Sequence, residues 1–284
     1  MDIDIEKLLS SVYSGGSLLL LYVMIFFIAN VVYSKKVGYD VKDEVVQKDN
    51  LAAAISLAGY LLSISIIFIG CVLGPSKGLL QDLIVVIEYS ATGIVLLYIA
   101  HLINDKIILH KFKNIKEIVE DKNIGTGVVQ AGSYIASGLI VAGAIHGEGG
   151  GIITAVVFFG LGQIALIIFA KIYDAITSFD VHEEIEKDNY SAGIAFAGTL
   201  VALGVILSKA AGGDFVSWEQ NIFNFSVNAL IAFILLPIFR IVIDKLVITN
   251  DDLNKEIAED KNVGAGLLEF GATVGFAAVL FFVI

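Results

Sequence analysis

Glu269 lies inside an apolar run, residues 263–284, where a lone carboxylate is costly to ionise. Such an acid either packs in a protonated or hydrogen-bonded form, or serves as a proton or cation site. The residue 139 positions earlier is Gln130, also within an apolar run. Two further related positions hold Leu57 and Phe196. Glu269 with Gln130 is therefore the first candidate intramembrane polar site, roughly 8–10 Å inside the boundary at about 1.5 Å per residue. Glu88 is the second, with a plainer alternative in which its side chain snorkels or pairs locally. The histidines His101, His110, His146 and His182 are scattered. His101 aligns with Arg240 at the same offset, which suggests a charge near the interface more than a metal ligand. A single cysteine, Cys71, excludes a cysteine cluster and an intramolecular disulfide. No HExxH, P-loop, GxSxG or Rossmann spacing occurs. The glycines around Glu148 lack the strand and helix that a phosphate loop requires. The sequence therefore predicts no enzyme, no cofactor and no metal residue.

Composition says which elements must carry these groups. The chain has 284 residues, 57% of them hydrophobic and only 17% charged, with mean hydropathy +0.86. Soluble domains carry about 25% charged residues, so this is an integral membrane protein. The net charge of −11 argues against nucleic acid as a partner. A bilayer core of about 30 Å needs roughly 20 apolar residues per helix. Eight runs qualify, near 15–33, 51–73, 83–103, 124–145, 152–173, 190–208, 222–243 and 263–284. The expected fold is all-α and polytopic. The acidic start, Met1-Asp2-Ile3-Asp4, lacks the basic region of a signal peptide, so the first run reads as a retained span.

A fourfold motif organises the runs. Each even-numbered run begins with an asparagine: Asn50, Asn123, Asn189 and Asn262. A glutamate lies six residues before it each time: Glu44, Glu117, Glu183 and Glu256. A glycine lies nine residues after it: Gly59, Gly132, Gly198 and Gly271. The first and third asparagines are 139 residues apart, as are the second and fourth. Odd copies read Lys-Asp-Asn and even copies Asp-Lys-Asn. The expectation is two duplicated halves, 1–146 and 147–284, built from four parallel helical hairpins. The asparagines read as helix N-caps, and the upstream acids as favouring the positive helix end. A sharper alternative has the acidic segments ring a cytoplasmic vestibule that gathers cations or a basic partner. The glycines let backbones approach closely, so the even spans are expected inside and the odd spans against lipid.

Of eighteen Lys and Arg residues, three (Lys7, Lys77 and Lys209) belong to the side with short loops, and the other fifteen lie in or beside the long loops. The positive-inside rule then puts the long charged loops in the cytoplasm and both termini outside.

The stretches Lys-Asp-Asn50-Leu-Ala-Ala-Ala-Ile-Ser-Leu-Ala-Gly59 and Glu-Asp-Lys-Asn123-Ile-Gly-Thr-Gly resemble the YjfL-like bacterial inner-membrane proteins, the domain-of-unknown-function 350 family (UPF0719). The resemblance covers most of the chain after the first span and implies a bacterial inner-membrane location. It implies no reaction, ligand or catalytic residue. Family members commonly look like one four-helix unit, and this chain looks like two joined. Copy three departs at Tyr190-Ser191. The leading functional expectation is a small-solute or ion channel or transporter. The alternative is a scaffold recruiting cytosolic or envelope-stress partners through its acidic loops. Besides the lipid bilayer, partners left open are a cytosolic or membrane protein and a second copy of the chain.

Overall fold

A computed structural model describes residues 5–249 and 251–284. The acidic start, residues 1–4, lies outside them. Among the described residues the chain is helical throughout, without strands. Eight helices are long and apolar enough to cross a membrane. They are α1 (Ile5–Lys36), α2 (Leu51–Leu73), α3 (Leu79–Ile103), α5 (Ile124–His146), α6 (Ile152–Ile176), α8 (Tyr190–Ala211), α9 (Trp218–Leu246) and α11 (Val263–Val283). The first and seventh helices outrun the apolar stretches at 15–33 and 222–243. Hydropathy marks the lipid-buried part of a helix, whereas backbone hydrogen bonding continues into polar residues beyond it.

The long loops contain structure that the apolar pattern misses. Three short helices, α4 (Asn114–Val119), α7 (Val181–Glu186) and α10 (Leu253–Ala258), precede the second, third and fourth motif asparagines. A π-helical turn, Asp43–Gln47, takes their place in the first copy.

Helices α2, α5, α8 and α11 form a row in which each packs on the next. The odd spans cover one side of this row: α3 lies on α2 and α5, α6 on α5 and α8, and α9 on α8 and α11. The row has ends, which corrects the expected division into inner even and outer odd spans. In its most apolar stretch α8 is 89% buried, but α11 is only 28% buried, no more than the odd helix α9. Helix α6 is more buried than α2 for the same reason: it covers the middle of the row.

Close approach along the row depends on missing side chains. A Cβ added at Gly204 would lie 2.5 Å from the Ala136 backbone, and one at Gly138 would lie 3.0 Å from that of Ser63. At Gly266 it would meet the Ser191 carbonyl at 2.5 Å. These contacts recur at matching positions, so neighbouring helices of the row run parallel in a constant register. Gly204→Leu should therefore destabilise the protein by about 1–3 kcal/mol or more through overpacking. Gly160→Leu, with nothing within 4 Å, should leave thermal unfolding in detergent unchanged.

Candidate functional site

Each motif asparagine side chain makes several hydrogen bonds. All four cap helices of the row, with Oδ1 accepting from Ala53 N at 3.1 Å, Thr126 N at 2.9 Å, Ala192 N at 3.3 Å and Gly264 N at 2.9 Å. The Nδ2 group does two further things. It donates to a carboxylate of its own copy: Glu44 at 2.8 Å, Glu117 at 3.1 Å and Glu256 at 2.6 Å. In three copies it also donates to a backbone carbonyl of the following copy. Asn50 reaches Ile118 O at 2.7 Å, Asn123 reaches Ile185 O at 2.6 Å, and Asn189 reaches Ile257 O at 2.8 Å. Asn262 bonds no further copy among the described residues and stands exposed.

The third copy departs from the expected pattern. Asn189 bonds Glu184 at 3.0 Å, five residues back, not Glu183. The Asn189 N–H likewise donates to Glu184 O, whereas the other three copies use the residue six back. Glu183 is instead exposed and paired with Lys187. The connecting turn is one residue shorter here, which shifts the functional acid by one. The acids also orient the asparagine amides, a role that the sequence reading did not give them.

The residue before each asparagine is left-handed: Asp49 (φ 49°), Lys122 (φ 52°), Asp188 (φ 60°) and Lys261 (φ 48°). A non-glycine residue there costs on the order of 1 kcal/mol. In the even copies the side chain has a use that glycine could not supply. Lys122 Nζ donates to Lys48 O at 2.7 Å, and Lys261 Nζ to Lys187 O at 3.0 Å. The alternation of Lys-Asp-Asn and Asp-Lys-Asn is thus a latch within each half.

The motif acids differ in their electrostatics. The Lys48 hydrogen bond holds Glu44 below the usual carboxylate range. Burial pushes Glu117 above it, opposed by the Asn123 amide.

Glu269 and Gln130 are not brought together. Glu269 is buried, and its Oε1 accepts from Tyr173 Oη and Arg240 Nε, each at 2.9 Å. Its Oε2 is buried without a partner. Arg240 also donates to Asn254 Oδ1 at 2.9 Å and lies over the Tyr173 ring. Gln130 occupies the matching place in the first half. It accepts from Ser56 at 2.7 Å and donates to Asp105 at 3.1 Å. Ser56 contacts Tyr33 at 2.9 Å, and Asp105 lies 3.4 Å from His101, which contacts Tyr134 at 2.8 Å. Glu88 is exposed on α3, and among the described residues no cation pairs with it. The cavities beside Glu269 and His101 each hold about 10 Å³, room for about one water.

Arg240, Tyr173, Asp105 and His101 are the partners that sequence reading missed. The alignment of His101 with Arg240 was the available signal. Both stand beside the Gln130/Glu269 position, so the half with an acid there carries the permanent cation.

Two other groupings have chemistry-bearing side chains. Asp174, Asp180 and His182 lie close enough to share a cation. Asp180 is already engaged: it caps α7 by accepting from His182 N and Glu183 N, and the Lys111 ammonium sits on its other oxygen. Burial pushes its carboxyl up, but Lys111 and the cap hold it below its ordinary value. On the short-loop side, a pocket of about 160 Å³ is lined by Cys71, Ser76, Lys77, Asp82, Tyr89 and Glu148 among others. Asp82 there accepts from Ser76 Oγ and Lys77 N, closing its own helix start.

A model of the family described as Domain of Unknown Function (DUF350) matches residues 7–145 and again residues 149–284. A UPF0719 transmembrane protein of Aquifex aeolicus (strain VF5) is 24% identical over 260 residues, covering 89% of this chain and 93% of the relative. No solved structure matches.

Removing one partner of a buried ion pair costs about 3–5 kcal/mol, because the other charge is left uncompensated. Arg240→Met should therefore destabilise strongly. Adding Glu269→Gln should recover most of the loss in thermal unfolding.

Proposed function

The chain belongs to the DUF350 family, with one match in each half, and on that premise we propose that it is a non-catalytic membrane scaffold. The supporting observation is that the repeated polar motif is spent on holding helices together. The motif asparagines and acids lock helices to one another, and the two interior polar clusters each leave space for about one water. Exposed charges line the rim of the long loops. These are most acidic in the second half, where Glu186, Asp188, Glu259 and Asp260 are exposed. A partner with a basic surface fits that rim by charge complementarity.

In this reading the protein sits in a bacterial inner membrane, with the long loops in the cytoplasm and the short loops outside. Cysteines at Lys113 and Lys255, both exposed, should resist an impermeant maleimide in intact cells, and one at Lys77 should react. The reverse pattern would invert the orientation. Asn254 is a poor reporter because it is bonded to Arg240.

A second reading, transport of an ion or small solute, is favoured by the unpartnered Oε2 of Glu269 beside Arg240. It needs a conformation with a wider path than the one described. Proteoliposome flux separates the two. A scaffold gives ion flux no greater than empty vesicles, and charge reversal of Glu186 and Glu259 abolishes partner binding. Flux that Glu269→Gln abolishes would establish transport and overturn the scaffold.

A further inference from the structure

We propose that the protein associates head to tail with further copies of itself, the α11 end of one row docking on the α2 end of the next. This goes beyond the scaffold reading and does not depend on what the loops recruit.

The joint between the two halves is the template for this contact. Helices α5 and α6, with α8, build that joint inside each chain. Shifted by the 139-residue duplication, the same positions fall on the free ends of the row. Gly132 packs on Ala197, an added Cβ lying 3.0 Å from the alanine Cβ. Their counterparts are Gly271, with nothing within 4 Å, and Ala58, which is exposed. Ile140, fully buried at the joint, corresponds to Val279, 58% exposed. Asn123 reaches across to Ile185 O. Its counterpart Asn262 is exposed.

The covering helix gives the same answer independently. Helix α6 lies over the α5–α8 groove, with Phe159 4% and Leu166 0% exposed. Its counterpart α1 packs chiefly on α2 and α3 among the described residues. There the corresponding Leu20 and Phe27 are 70% and 66% exposed. A preceding α11 would supply for α1 the surface that α5 supplies for α6. The ends of one chain thus carry the two sides of a contact that the chain already makes within itself. A contact of this kind is heterologous and yields a ring or a line.

The joint's own geometry sets the test. Disulfides need Cβ atoms about 3.5–4.5 Å apart, close to the Gly132–Ala197 spacing. Ala58→Cys and Gly271→Cys, each in a Cys71→Ser background and carrying different tags, are co-expressed and oxidised in native membranes. A mixed crosslinked dimer is expected, with none from either variant alone. Crosslinking by Gly271→Cys alone would show α11 faces meeting each other and would overturn the proposal, as would no crosslink. Gly271→Leu gives a second measurement, because nothing in the single chain opposes the added side chain. Its melting temperature should match wild type while its assembly size in nanodiscs or mild detergent falls to one chain. Wild type already running as one chain under those conditions would also overturn the proposal.

Discussion

An asparagine amide joined at once to three groups sets the architecture of this protein. Its oxygen caps a helix, while its two N–H bonds go to a carboxylate of the same copy and a carbonyl of the next. Buried at the start of a membrane span, such an amide has few alternatives, because every unpaired polar group there is costly. Each asparagine therefore fixes where its helix begins and also which neighbour it stands beside. The acids orient the amide, and the left-handed residue before it turns the chain into position. The glycines further along then meet backbone at a constant register, since the helix starts are pinned.

That constraint accounts for the row and for its exposed end. Three of the four amides hold the following copy, and the fourth, Asn262, is exposed. The polar clusters between the layers are secondary to this frame. In the first half a neutral amide, Gln130, is surrounded by Ser56 and Asp105. In the second half Glu269 replaces it, and Arg240 replaces His101. The duplication preserved the position while exchanging a polar network for an ion pair.

Much of this is legible in the sequence, because repetition exposes it. The number of spans, the capping asparagines and the 139-residue spacing follow from patterns that recur. Contacts specific to one copy do not. Glu184 replaces Glu183 through a one-residue change in a turn, and both residues are glutamates, so spacing alone selects the wrong one. The His101–Arg240 alignment marks a charge near the interface but does not pair Arg240 with Glu269, because the two are joined by packing of α9 on α11. The division of even and odd spans failed at the ends because composition describes a helix, not its place in a row.

The central claim is that the asparagines are junctions rather than caps alone, and Asn→Asp substitution separates the two. Aspartate caps a helix about as well as asparagine, but it faces Glu117 and the Ile185 carbonyl with no amide to donate. Thermal unfolding of Asn123→Asp and Asn262→Asp in detergent is the direct measurement. The junction account predicts a large loss for Asn123→Asp and little change for Asn262→Asp, which is exposed and whose amide N–H groups, among the described residues, bond only Glu256 of its own copy. Equal and small effects at both positions would contradict it.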